Sequence, residues 1–92
     1  MFVIFRDGEV VHREGVGDTE VELLKRVIVA ARRLLERAEY AYVRSKDGEY
    51  VGVFRGEYAV FVRGEEEVLG LALLKAEKVL LDFLHQSEGQ HV

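Results

Sequence analysis

Apolar residues along this chain follow two rhythms. MFVIF at the start is an unbroken apolar run, the pattern of a strand buried on both faces and therefore central in its sheet. Asp7-Gly8 follows and VVHRE returns, a hairpin whose two turn residues take positive φ. Gly15 and Gly17 close the second strand. From Val21 the period lengthens to that of a helix. Val21, Leu24, Ile28, Ala31 and Leu35 share one face, flanked by Leu23, Val27, Leu34 and Ala38, which predicts a helix running to about residue 38. Asp18-Thr19-Glu20-Val21-Glu22 marks its start: Thr19 and Glu22 have the capping-box spacing, and the acidic residues suit the positive end of the helix dipole. At ~1.5 Å per residue such a helix is ~30 Å long, enough to cross five strands whose outer members lie ~19 Å apart.

EYAYVRS, EYVGVFR and EYAVFVR then alternate apolar and polar positions and are joined by very short turns, a three-stranded meander. With Asp47-Gly48 as the first turn, Lys46 faces Glu49, Val43 faces Gly52 and Ala41 faces Phe54; moving the turn by one residue keeps the same faces. With Gly56-Glu57 as the second, Phe54 faces Ala59 and Gly52 faces Phe61, large opposite small. After Gly64, the acidic run Glu65-Glu66-Glu67 opens EVLGLALLKAEKVLLDFLHQ, a long and strongly apolar helix. Leu69, Ala72, Leu73, Ala76, Val79, Leu80 and Phe83 point to a core, while Leu74 and Leu81 spill toward the flank of Lys75 and Lys78. SEGQHV has no periodicity. The reading is one domain over 1–86 and a disordered tail over 87–92.

Chemistry is scarce. A calcium loop needs the D-x-D-x-D-G pattern of oxygen ligands, which neither RDGEVV nor KDGEYV carries, so both Asp-Gly pairs read as turns. His12, His85 and His91 are dispersed and no two are four residues apart, against a metal site. Thr19, Ser45 and Ser87 have no base motif beside them, and no glycine-rich phosphate cradle occurs. The expectation is a protein without catalytic residues, metal or cofactor.

Composition narrows the classes further. Cysteine is absent, which removes disulfides and thiolate chemistry. No apolar run reaches bilayer length, and MFVIFRDGE lacks the positive flank and cleavage site of a signal peptide, so the chain reads as cytoplasmic. A net charge of −4 disfavours a general nucleic-acid binder. Asn, Pro and Trp are missing while Glu and Arg abound, a composition of heat-adapted proteins. Within this acidic chain, Lys25, Arg26, Arg32, Arg33 and Arg37 share the polar side of the first helix with Val29 among them, an apolar spot ringed by cations. The bland alternative is a solvated face with Glu22–Arg26 and Glu36–Arg32 pairs. A second alternative is nucleic-acid binding by this face, with Tyr40, Tyr42, Tyr50 and Tyr58 as a stacking platform. A small hydrolase is a third.

The element order, with FVIFRDGEVVHRE, the 18–38 helix, the meander, and a closing helix that begins Leu69-Gly70-Leu71 and continues Lys75-Ala76-Glu77-Lys78, resembles the roadblock/LC7 family over nearly the whole chain. Members commonly carry a helix before the first strand, which this sequence does not show, so the related longin fold is also compatible. The resemblance implies an α+β fold, ββαβββα, with a five-stranded antiparallel sheet in the order 2-1-5-4-3. It also implies a homodimer built from the long helix and the third strand, here Leu34, Ala38, Tyr40, Ala41, Tyr42, Val43 and Arg44. The partner it implies is a small GTPase or related signalling protein. In such a dimer the exposed side of the first helix, with Lys25, Arg26, Val29, Arg32 and Arg33, is the docking surface expected from its charges and its apolar centre. The alternation agrees in part, since it puts MFVIF in the middle and leaves EYAYVRS as a nearly uncharged edge.

Overall fold

The structure, a computed structural model, describes residues 1–34, 37–46, 48–64 and 69–89, with side chains for 70–86 of the last stretch. The strands are β1 (Phe2–Arg6), β2 (Glu9–Glu14), β3 (Tyr40–Ser45), β4 (Gly48–Arg55) and β5 (Tyr58–Arg63); the helices are α1 (Asp18–Leu34) and α2 (Leu69–Gly89). The fold is α+β, ββαβββα, with one antiparallel sheet ordered β2-β1-β5-β4-β3.

Strand periodicity places the two helices on opposite faces. Val3, Phe5, Tyr50, Ala59 and Phe61 point to one side, where Val21, Leu24 and Ile28 of α1 meet them. Ile4, Val53, Val60 and Val62 point to the other, under Ala76 and Leu80 of α2. β1 is buried on both faces at Val3, Ile4 and Phe5, as an unbroken apolar run requires. The Asp7-Gly8 hairpin has both turn residues at positive φ, 52° and 84°, and Arg6 faces Glu9 across it, the geometry of a two-residue type I′ turn.

Three expectations are corrected. First, α1 begins two residues earlier than a Thr19 cap requires: the Gly17 carbonyl accepts the Val21 N–H at 3.0 Å, which puts Thr19 inside the first turn. Asp18 bridges instead to Arg13 at 2.7 Å. Second, α1 does not reach residue 38. Leu35 and Glu36 lie outside the described residues, but Glu39 is already drawn onto the sheet, its carbonyl accepting the Phe54 N–H at 2.8 Å. Third, the β3–β4 register is offset by two from the Asp47-Gly48 turn. Ser45 faces Gly48, Val43 faces Tyr50 and Ala41 faces Gly52, so the connecting residues are Lys46 and Asp47, the latter outside the described residues. This register sets Arg44 opposite Glu49, joined at 3.5 Å, and lets the Ser45 hydroxyl donate to the Gly48 carbonyl at 3.0 Å. An even offset leaves every side chain on its expected face. The β4–β5 register is as expected, with Phe54 opposite Ala59 and Gly52 opposite Phe61.

The opening of α2 at Glu65–Glu67 lies outside the described residues. Its far end runs to Gly89, three residues into the stretch expected to be a tail, and residues 90–92 are outside the description.

Candidate functional site

Among the described residues no group of His, Cys, Asp and Glu could hold a metal ion, and no described helix is long and apolar enough to cross a membrane. His12 sits against the rings of Phe2 and Phe83, with centroids 5.5 and 6.4 Å away, on an outer strand; His85 is exposed on α2, and His91 lies outside the described residues. The four tyrosines do not form one platform. Tyr50 is buried on the α1 side and donates its hydroxyl to Glu20. Tyr58 lies on the α2 side beside Phe83 and under the Arg6 guanidinium. Only Tyr40 and Tyr42 are exposed.

The features that remain are surfaces, and the first is an edge. The sheet ends in β2 on one side and β3 on the other. β2 is guarded: Glu9, His12, Arg13 and Glu14 are exposed along it, and a bulge opposite Ile4 and Phe5 breaks its ladder. Charges and bulges of this sort keep an edge from pairing. β3 has neither defence. Its ladder with β4 is regular over all six residues, and Arg44 is its single charge. Tyr40, Tyr42 and Arg44 are exposed on the α2 side of the sheet, while Ala41 and Val43 are half-buried on the α1 side. Glu49 ties the exposed row together, bridging Arg44 and accepting the Tyr42 hydroxyl; that hydrogen bond holds the Tyr42 phenol above its ordinary pKa.

The second surface adjoins the first. Lys25 reaches Glu9 on β2 at 3.6 Å, whereas Glu20 reaches Tyr50 on β4. At ~100° per residue, the flank of α1 turned toward β3 therefore carries Leu23, Val27, Ala30 and Leu34. Val27, like Val43, packs partly on the core of that sheet face. Leu34 covers nothing and is 80% exposed. Of the residues expected at a dimer interface, Leu34, Tyr40, Ala41, Tyr42, Val43 and Arg44 thus fall along one edge of the molecule. Ala38 is half-buried just before it.

The third surface is the outward face of α1. Glu22, Lys25, Arg26, Val29, Ala30, Arg33 and Leu34 line an open depression. All seven belong to one helix, so it is an open helix face rather than an enclosed cavity. The five residues expected to dock a partner separate here. Lys25 is held by Glu9 and by Glu22, the latter at 3.9 Å, and the Arg32 guanidinium donates to the Glu57 carbonyl at 3.5 Å. Arg26 and Arg33 make no ion pair among the described residues, and Val29 between them is 54% exposed. Glu22 pairs with Lys25 rather than with Arg26, and Glu36 lies outside the described residues.

Two features escaped the sequence reading. One is the Tyr50–Glu20 tie between β4 and α1, which joins residues thirty apart and leaves no local signal. The other is Leu71, expected at the start of α2 without a facing and found exposed beside Leu74; its spacing of three from Leu74 and ten from Leu81 was the available signal.

No protein-family model, no curated protein and no solved structure matches this chain.

Proposed function

We propose that this protein is a homodimeric interaction module of the roadblock type, joined edge to edge through β3 and flank to flank through α1. The single observation that carries the reading is the contrast between the two sheet edges. β2 is charged and bulged; β3 is regular, nearly uncharged and bordered by an apolar helix flank that ends in an 80% exposed leucine. Pairing β3 with its symmetry mate satisfies the edge and buries Leu34 at once, on one patch that is complementary to itself as two-fold symmetry demands.

In such a dimer the outward faces of two α1 helices form one composite surface that presents Arg26, Val29 and Arg33 twice. Cations around a small apolar centre suit an acidic partner surface: charge steers the encounter, and Val29 with the arginine stems supplies desolvated contact. The resemblance directs the choice of partner to a small GTPase or related signalling protein, with no catalytic role for the chain itself. Lys25 and Arg32 contribute less than their number suggests, since both are engaged with the chain's own sheet side. The nucleic-acid alternative has less support, because Glu22 shares the depression with the two arginines and the tyrosines are split between two sheet faces.

Two experiments test the parts separately. Light scattering should give twice the mass of one chain, and Leu34→Glu or Val43→Pro should reduce it to one; a single-chain mass for the unmodified protein at tens of micromolar sinks the assembly. For docking, Arg26→Glu with Arg33→Glu should abolish capture of a small GTPase and leave the mass unchanged, and Val29→Asp should weaken capture comparably. Lys25→Ala with Arg32→Ala should have a smaller effect. Capture that ignores all of these removes the α1 face as the docking site.

A further inference from the structure

The outer side of α2 is unused by the reading above. Leu71, Leu74, Lys78, Leu81 and His85 succeed one another at intervals of three and four, the spacing of a seam along which one helix packs on another. All five are exposed, the leucines between 56% and 63%. They lie on the side of the helix away from Ala72, Ala76 and Leu80, which are buried on the sheet. A helix that is apolar on both sides is ordinarily buried on both, and no described residue covers this one's outer side.

We propose that the seam pairs antiparallel with α2 of a second copy of this chain. The charges along it select that occupant. Lys75 and Asp82 border the seam one heptad apart, both exposed, and Lys78 stands within it. When two copies run antiparallel with Lys78 of each against Leu81 of the other, Leu74 meets His85, and each Asp82 falls between Lys75 and Lys78 of the opposite helix. Two-fold symmetry makes that contact twice. A parallel pair would instead set Lys78 on Lys78, like against like, and turn the flank of Lys75 and Asp82 away from its symmetry mate. The lysine stems lie over the exposed leucines in the antiparallel arrangement and bury their methylene groups there. Three leucines per helix make a short seam, below the about 1,200 Å² of total buried surface at which stable interfaces begin, so the pairing depends on concentration. It uses the sheet face opposite α1 and does not compete with the β3 edge.

The test is sedimentation velocity on the full chain over a range of concentrations. The unmodified protein should show a reversible step that doubles the mass of its base species. Asp82→Lys alone, and Lys75→Asp with Lys78→Asp, should each lose the step or move its midpoint at least tenfold upward in concentration. An equimolar mixture of those two variants should regain it, because one seam then carries three lysines and the other three aspartates. Leu74→Gln with Leu81→Gln, which adds no charge, should also lose it, and circular dichroism checks that every variant is folded. The base species, one chain or two, reports on the β3 dimer separately, so failure of either interface is recognisable on its own. No step at the highest attainable concentration, or a step that the charge and glutamine variants all retain, overturns the α2 pairing.

Discussion

Gly52 shows how one residue fixes a register. A Cβ placed there would lie 2.4 Å from Cε1 of Phe61 and 2.7 Å from Cδ1, and the Phe61 ring is fully buried between Phe5 and Phe54, so it has nowhere to retreat. Gly52→Ala should therefore destabilise the fold by about 1–3 kcal/mol, as overpacking does, read as a shift in the urea midpoint. Adding Phe61→Leu should recover part of that loss, and strict additivity of the two changes would contradict the contact. The first hairpin makes a second residue-scale test. Gly8 at φ 84° has open space around it, so Gly8→Val meets backbone strain alone and should cost about 1–2 kcal/mol. Asp7→Asn tolerates the same turn and should be neutral within about 0.5 kcal/mol. Calcium-dependent melting that vanishes in Asp7→Asn would mean a ligand loop in place of a turn. The Gly52–Phe61 contact was legible in the sequence because both residues sit in one alternating ladder.

The elements differ in how fully the chain announces them. β1, β4, β5 and the sheet-facing stripe of α1 follow from period alone, since a buried face constrains every second or every third-to-fourth position. The end of α1 did not follow: Leu35 and Ala38 continue the apolar period, yet the backbone of Glu39 already bonds to β4, a long-range contact that outweighs local propensity. The β3 register was ambiguous for a related reason. Sliding a strand by two preserves which side chains face the core, so the choice fell to the Arg44–Glu49 and Ser45–Gly48 contacts that hydrophobic pattern does not record. On α2, the small residues Ala72 and Ala76 are buried against the sheet and let the helix lie close to it. Ala76→Leu should cost about 1–3 kcal/mol by overpacking, measured by thermal or urea unfolding. Leu74→Gln, on the exposed side, should change stability by no more than about 0.5 kcal/mol. Equal losses at the two positions would mean that α2 is seated differently.

At the scale of the molecule, sequence and structure meet in one asymmetry, a guarded edge at β2 and an open one at β3. The sequence carried half of this, because its alternation left YAYVRS as an edge with a single charge, whereas the bulge that guards β2 left no signal in it. It could not show that Leu34 and the α1 flank turn toward the same edge, since that depends on which way α1 is rolled on the sheet, fixed by the Lys25–Glu9 and Glu20–Tyr50 contacts. Nor could it tell which basic residues of α1 are engaged by the chain itself. The proposed assembly joins two copies across β3. The absence of cysteine from the chain makes a direct measurement possible: single cysteines introduced in turn at residues 40 to 44, and as a control at Arg13 on β2, followed by mild oxidation and non-reducing electrophoresis. Antiparallel pairing about a two-fold axis brings only the position nearest the axis within the Cα separation of roughly 4.4–6.8 Å that a disulfide spans; each residue further along adds about 6.6 Å to the distance between symmetry mates. The prediction is a sharp maximum of cross-linked dimer at one β3 position, falling away on both sides, with none at residue 13. Uniform weak cross-linking along β3, or cross-linking as strong at residue 13, contradicts it.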